Sequence, residues 1–221
     1  MTANQPGGSV LTILGSPRMA VYLAACQYDP DAALDLYAWN SLASASFWET
    51  MSHLEVALRN TMATRLEREH RRKNRTGSWL DDHHYILDRQ AREDIKKARR
   101  RVENKHKMPS DGQTITELSF GFWRFLLANQ YQTSLWPSLA RGFPYAPDKR
   151  LSTVAGPVSR LHDFRNRIAH HEPIWNKELR DRMHDAYQLL TYIDPDLHSW
   201  VTKRCRIPPV LQTCPIVRPY P

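Results

Sequence analysis

The sequence predicts an all-α protein, and three observations support this prediction. Apolar residues recur at three- and four-residue spacings over long stretches, as they do on one face of an α-helix. No stretch of useful length alternates apolar and polar residues in the manner of a half-buried β-strand. Apolar residues make up 41% and charged residues 24% of the 221 residues, which is typical of a folded globular domain.

The first elements are an irregular segment and a series of helices. Residues 1–16 are interrupted by glycine, serine and proline and are predicted to be irregular. A short helix follows, with Ser16 as its N-cap and Pro17 at its first helical position. One or two long amphipathic helices are expected within residues 29–73. Their apolar stripe includes Phe47, Met51, Leu54, Leu58 and Met62.

The middle of the chain continues the helical pattern. A helix is expected from about Asp88 to Lys105, followed by a loop at 107–114. Residues 114–136 resume helical periodicity after a Thr-x-x-Glu capping box formed by Thr114 and Glu117. The aromatic residues Phe120, Phe122, Trp123 and Phe125 of this stretch are expected in the core.

Two further helices are predicted before the C-terminal tail. The stretch 151–172 should end near Glu172, because the residue before Pro173 is disfavoured in the helical region. A last helix within 176–201 should be interrupted at Asp194, again before a proline.

The C-terminal tail is predicted to be extended. Five of the fifteen prolines fall in the last seventeen residues, and proline has no backbone N–H to continue a helix. The predicted organisation is an irregular segment at 1–16, a helical domain at 17–203 and a Pro-rich tail at 204–221. Three widely spaced cysteines are not typical of a disulfide framework or a zinc site. With no apparent secretion signal or spanning run, a cytoplasmic location away from the membrane is expected.

Charge indicates an anionic partner. The net charge is +8, and residues 65–75 and 96–107 together hold thirteen of the 31 Lys and Arg residues. We call these the first and second basic segments. They are either two solvated helix faces or a surface that contacts RNA phosphates without sequence choice. The candidate RNA-binding residues are Arg71, Arg72, Lys73, Lys96, Lys97, Arg99, Arg100 and Arg101.

Candidate catalytic residues lie in the stretch DFRNRIAHHEPIW, residues 163–175. Asn166 and His170 are four residues apart, so on a helix the amide would orient the imidazole. Arg165 lies about 140° around the helix from His170 and would reach the same point only through its long stem or a distorted last turn. The negative end of the helix favours protonated rings at His170 and His171.

An arginine beside a titratable histidine suits phosphodiester cleavage without a metal. The imidazole would move protons, and the guanidinium would stabilise negative charge in the transition state. The alternative is an ordinary polar helix end, where Arg and His are common for electrostatic reasons.

The stretch LHDFRNRIAHHEPIWN resembles the signature of the Abi-like (abortive-infection) proteins of the HEPN superfamily. In that signature, Arg and a polar residue are followed by His after four to six intervening positions. Arg165 and His170 fit with four intervening residues, and His171 fits with five. The stretches 36–62 and 118–127 are similar to the family's first conserved helix and its central aromatic element.

The resemblance implies a HEPN-like helical bundle that pairs as a homodimer and cleaves RNA in phage defence or as a toxin, without a cofactor. Cleavage through the 2′-hydroxyl would leave a cyclic phosphate or 3′-phosphate and a 5′-hydroxyl. His170 or His171 would act as general acid and base, Arg165 would stabilise the phosphate and Asn166 would orient the ring. Glu55, which matches an acidic residue of the family's first helix, would orient or neutralise Arg165.

Other hypotheses stay open. The chain would alternatively scaffold a small non-coding RNA without cleaving it, act as a toxin silenced by an antitoxin partner, or serve as a protein adaptor.

Alternatives also stay open for single residues. Glu55 would alternatively form a helical surface pair with Arg59. A structural role is favoured over a metal site for residues 81–85. The same holds for the set His162, His170 and Glu172, so no metal is expected. Base stacking is the alternative to core packing for three tryptophans. These are Trp123, Trp136 and Trp175.

Overall fold

The computed structural model describes residues 6–105 and 108–216, and in them it contains α-helices and short 3-10 helices without strands. The all-α prediction is confirmed. The α-helices are α1 (Pro6–Leu14), α2 (Ser16–Ala25), α3 (Pro30–Arg72), α4 (Arg89–Glu103), α5 (Asp111–Glu117), α6 (Phe120–Phe125), α7 (Trp136–Leu139), α8 (Leu151–Ala169), α9 (Leu179–Ile193), α10 (Pro195–Thr202) and α11 (Ile207–Gln212). The 3-10 helices are Trp79–Asp81, Asn129–Tyr131 and Ala140–Gly142. Among the described residues, no helix is long and apolar enough to cross a membrane.

Helix α3 is the axis of the bundle. Its 43 residues extend for about 65 Å. Asp29 caps its start by accepting hydrogen bonds from the N–H groups of Asp31 and Ala32 at 2.9 and 3.1 Å. The helices α1, α2, α6, α7, α8, α9 and α11 all pack against it. The long helix therefore connects the N-terminal, central and C-terminal parts of the chain in one core.

Helices α8 and α9 pack together on one side of α3. Phe164 of α8 meets Phe47 of α3 edge to face, with ring centroids 4.9 Å apart. Arg160 of α8 donates two hydrogen bonds to the carboxylate of Asp185 on α9, and Asp185 is buried. These contacts fix the C-terminal half of α8, which leads to the histidine doublet, against both α3 and α9.

The predicted irregular N-terminus is wrong over residues 6–14, which form α1. Residues 1–5 lie outside the described residues. Gly15, not Ser16, is the N-cap residue of α2, and its φ of 93° is in the left-handed region that glycine adopts without steric cost. One glycine therefore turns the chain between two helices that share the core.

The predicted loop at 107–114 and its capping box also differ from the structure. Helix α5 already begins at Asp111, and the capping box is formed by Ser110 and Gln113. The Ser110 hydroxyl accepts from the Gln113 N–H at 3.2 Å, and the Gln113 side chain accepts from the Ser110 N–H at 3.1 Å. Thr114 lies inside the helix, where its hydroxyl donates to the Ser110 carbonyl. The predicted loop also includes Lys107, which is outside the described residues.

The predicted extended tail is wrong over residues 207–212, which form α11. Pro208 and Pro209 lie in its first turn, where the missing N–H groups would have no helical partner in any case. The indole N–H of Trp39 on α3 donates to the Val210 carbonyl at 2.9 Å. The tail is therefore anchored to the bundle up to this point. Residues 217–221 lie outside the described part of the chain.

Candidate active site

Helix α8 ends in a Schellman motif at the histidine doublet. Ala169 is the last helical residue, and His170 is the C-cap. The His171 N–H donates to the Ile168 carbonyl at 3.0 Å, and the Glu172 N–H donates to the Arg167 carbonyl at 2.9 Å. His171 has a φ of 55°, in the left-handed region that glycine usually fills at this position. The helix therefore ends earlier than the predicted Glu172, and the two histidines have different backbone roles.

Two arginines fix the backbone around the doublet. Arg18 of α2 donates to the carbonyl of His171. Arg167 pairs with the Glu172 carboxylate at 3.0 Å and donates to the Pro173 carbonyl at 3.2 Å. Glu172 thus forms an ion pair that stabilises the turn after α8.

Asn40 of α3 holds the following residues against the core. Its side-chain oxygen accepts from the N–H groups of Ile174 and Trp175 at 2.8 and 3.0 Å, and Asn40 is only 5% exposed. Sequence analysis missed this residue. The available signal was a polar side chain in the apolar stripe of α3, four residues after Leu36.

Arg165 lies between two residues of α3. Its guanidinium carbon is 4.9 Å from the centre of the Trp48 ring, and its Nε is 3.8 Å from a Glu55 carboxylate oxygen. The Arg165 Nε is buried and has no hydrogen-bond partner in the described residues. The structure therefore brings the candidates Glu55 and Arg165 together and adds Trp48, which sequence analysis did not single out.

Asn166 does not contact the imidazole of His170. Its amide nitrogen lies 3.4 Å from Nε2 of His162, one turn earlier on α8. The His162 ring lies next to Gly121, where a Cβ would be 3.2 Å from Nε2. The His170 ring is exposed and has no hydrogen-bond partner in the described residues. The predicted orientation of His170 by Asn166 is absent, because His162 occupies the position beside the amide.

A groove of about 690 Å³ runs between α3 and the end of α8. Ser41, Ser44 and Trp48 line its α3 side, and Ala169 and His171 line its α8 side. Its rim carries an ion pair between Arg206 and Glu49, with Nε and Oε2 2.7 Å apart. His171 therefore lines the groove directly.

Six of the eight candidate RNA-binding residues are paired with carboxylates. The pairs are Arg71–Glu67 at 2.6 Å, Arg72–Glu69 at 2.7 Å, Lys73–Glu69 at 3.2 Å, Lys97–Asp94 at 3.9 Å, Arg99–Asp81 at 2.6 Å and Arg101–Glu117 at 3.3 Å. Hydrogen bonding from Arg72 lowers the pKa of Glu69 to about 2. Lys96 and Arg100 are exposed on α4 and have no carboxylate partner among the described residues. The basic segments are thus partly neutralised.

The C-terminal end of the first basic segment lies at a distance from the candidate site. Arg71 follows Glu55 by sixteen residues on the same helix, which corresponds to about 24 Å. A strand of RNA would have to span several nucleotides to contact both. Residues 106 and 107 of the second basic segment lie outside the described residues.

The other candidate chemical groups have structural roles or form no cluster. Trp123 and Trp136 are buried, and Trp175 is half-buried beside Tyr22. The expectation that Phe125 lies in the core is wrong, because this residue is 50% exposed. In the stretch 81–85, the Asp82 carboxylate accepts from two backbone N–H groups of the loop that precedes α4. Within residues 6–105 and 108–216, no group of three His, Cys, Asp or Glu residues has the arrangement of a metal site.

A comparison of the chain with known protein families, with curated proteins and with solved structures finds no match.

Proposed function

We propose that this protein is an endoribonuclease that cleaves RNA through the 2′-hydroxyl, with a role in phage defence or as a toxin. The observation that supports this proposal best is the environment of Arg165. Its guanidinium stacks on Trp48 and lies near Glu55, and its side chain is 30% exposed and so accessible to a ligand. An arginine that is positioned but not fully hydrogen-bonded is suited to a phosphate group.

The reaction would need proton transfer and charge stabilisation. The 2′-oxygen attacks the neighbouring phosphorus, and a histidine accepts the hydroxyl proton. The bond from phosphorus to the 5′-oxygen breaks, and that oxygen leaves with a proton supplied by an acid. Arg165 stabilises the charge on the phosphorus oxygens in the transition state. We assign proton transfer to His170, whose backbone has an ordinary conformation; His171, which is also exposed and lines the groove, is the alternative.

A homodimer is part of this proposal. On α3, the exposed positions from Ala38 to Val56 form an uncharged strip along one side of the helix. We call this strip the α3 face. It includes Leu42, Trp48 and Val56, each more than 40% exposed, together with Ala38, Ala45 and Ser52. A second copy would cover this surface by two-fold packing, and Trp48 would then link the interface to Arg165.

The catalytic assignment is tested with purified wild-type protein and His170→Ala. Both are incubated with mixed RNAs in EDTA, and products are separated by gel and analysed for their end groups. Cleavage by wild type with 5′-hydroxyl ends, reduced at least about a hundredfold in His170→Ala, is the expected result. Equal cleavage by the two proteins would show that His170 is not the catalytic residue.

A second candidate function is a scaffold for a small non-coding RNA. The absence of a contact between Asn166 and His170 favours it, because a general base usually has a partner that orients it. In this case, a discrete undegraded RNA would co-purify with the protein and bind His170→Ala equally well.

A further inference from the structure

Three arginines near the C-terminal half of α3 have no acidic partner. Arg65 and Arg68 line a cleft of about 340 Å³ between α3, the 3-10 helix Ala140–Gly142 and the end of α9. Arg141 lies in that 3-10 helix. No hydrogen bond or ion pair connects their side chains to a carboxylate within the described residues, although Arg71 and Arg72 on the next turns of α3 are both paired.

Arg65 and Arg68 line the cleft together, and Arg141, which is outside the cleft lining, acts on Arg65 through its charge. Burial lowers the pKa of Arg65, and the charges of Arg68 and Arg141 lower it further. An arginine remains protonated under these conditions, so the repulsion persists in the free protein. An anion bound between the guanidinium groups would relieve it.

The backbone at Gly142 allows this proximity. A Cβ at Gly142 would lie 2.6 Å from Cγ2 of Thr61 and 3.4 Å from Cγ of Arg65. Glycine therefore lets the segment that carries Arg141 approach α3 more closely than any other residue would. This close contact forms the wall of the cleft beside Arg65.

The remaining lining of the cleft is suited to phosphate. Asn60, Thr61 and Thr64 provide amide and hydroxyl groups. The acidic residue of the cleft is Asp194, and one of its carboxylate oxygens accepts from the N–H groups of Asp196 and Leu197 as the cap of α10. The Asp194 carboxylate therefore interacts in part with the N–H groups at the start of α10 and not only with the cleft.

We propose that this cleft, which we call the arginine cleft, binds a phosphate group of the RNA backbone. This inference rests on the proposed function for the identity of the ligand. Arg65 follows Glu55 by ten residues on α3, about 15 Å along the helix axis. The same spacing turns Arg65 about 80° and Arg68 about 140° around α3 from Glu55. A strand bound at Arg165 would therefore have to follow the surface of α3 to reach the arginine cleft several nucleotides away. The cleft would anchor the strand, and the candidate active site would cleave it.

The test compares two double variants with the same charge. Arg65→Gln with Arg68→Gln removes two unpaired charges that line the cleft, whereas Lys203→Gln with Arg204→Gln removes two exposed charges after α10, outside the arginine cleft and both basic segments. Affinity for a short 2′-O-methyl RNA, which lacks the attacking hydroxyl, is measured at several salt concentrations. Loss of one phosphate contact should reduce the slope of log K against log salt by about 0.7. We expect this reduction, with about tenfold weaker binding, in the first double variant and little change in the second.

Arg68→Gln alone is included because Arg68 is exposed and its loss should leave the fold intact, as thermal unfolding would show. Equal effects of the two double variants, no effect of the first, or no binding by wild type would overturn the arginine cleft. Cleavage is assayed separately with unmodified RNA. If RNA binding depends on the arginine cleft but no RNA is cleaved, the nuclease proposal is contradicted and the cleft proposal stands. If RNA is cleaved but the first double variant leaves the salt slope unchanged, the cleft proposal is contradicted and the nuclease proposal stands.

Discussion

At the scale of single residues, the two histidines are separated by backbone conformation. His171 occupies the left-handed position of the Schellman motif, where a side chain costs energy that glycine avoids. His170 precedes it with an ordinary φ of −91°. Sequence spacing alone fits either histidine to the proposed role, and the conformation of the chain distinguishes them.

His171→Gly should stabilise the protein by about 1 kcal/mol, because it relieves a left-handed residue. Urea unfolding measures this change. Ala169→Gly, which places glycine in the last helical turn, is the control and should destabilise by up to about 1 kcal/mol. If His170 is catalytic, RNA cleavage should persist in His171→Gly. Loss of cleavage in a well-folded His171→Gly protein would transfer the role to His171.

Asn40→Ala should destabilise the protein by about 1–3 kcal/mol, because two buried N–H groups would lose their acceptor. Thermal unfolding measures the loss, and slower cleavage should accompany it if the turn after α8 positions the histidines. Asn176→Ala, at an exposed position of the same segment, is the control. Similar stabilities for the two variants would show that Asn40 does not anchor this segment.

At the scale of helices, the apolar periodicity located most elements, and local contacts determined their ends. The stripe containing Phe47, Leu54 and Leu58 predicted the long helix α3, and all three residues are buried. The errors arose where tertiary contacts or proline position overrode composition. Gly and Pro residues predicted to be irregular lie in α1. Pro208 and Pro209 are tolerated in the first turn of α11, and Trp39 anchors that helix through the Val210 carbonyl.

The candidate site shows the same division between local pattern and tertiary contact. The resemblance paired Glu55 with Arg165, and the structure places them 3.8 Å apart. The contact of Asn166 with His162 depends on the small residue Gly121 of another helix, which helical spacing within α8 does not reveal. Trp48 and Asn40 contact residues more than a hundred positions away, so no local pattern identifies their partners.

Gly142→Ala should destabilise the contact between α3 and the 3-10 helix Ala140–Gly142. The added methyl group would lie 2.6 Å from the side chain of Thr61, whose β-branched side chain is stiff on a helix. We expect a loss of about 1–3 kcal/mol in urea unfolding. The control is Gly112→Ala in α5, where a Cβ meets nothing within 4 Å, and it should be neutral or stabilise by up to about 1 kcal/mol. Equal effects would argue against close packing at Gly142.

At the scale of the whole molecule, the net charge of +8 is a poor guide to where RNA would bind. The segments with the highest density of basic residues also contain or meet the carboxylates that pair with them. Arg65 and Arg68 belong to the first basic segment, but the sequence does not distinguish them from Arg71 and Arg72, which are paired, and Arg141 is remote along the chain. The lack of acidic partners for Arg65, Arg68 and Arg141 becomes apparent only when the helices are packed.

The proposed dimer predicts a specific pattern of complementation. If each site combines Arg165 of one subunit with His170 of the other, a heterodimer of Arg165→Ala and His170→Ala retains one intact pair. Random mixing of the two inactive proteins should then restore about a quarter of wild-type cleavage, because half of the dimers are mixed and each has one working site. If both residues act within one subunit, no mixture restores activity. Sedimentation of each variant must show dimers, and the two proteins must be mixed under conditions that allow subunit exchange.

The control is Ala45→Arg, which places a charge in the α3 face and should be monomeric and inactive. A monomeric wild-type protein that cleaves RNA would contradict the shared site.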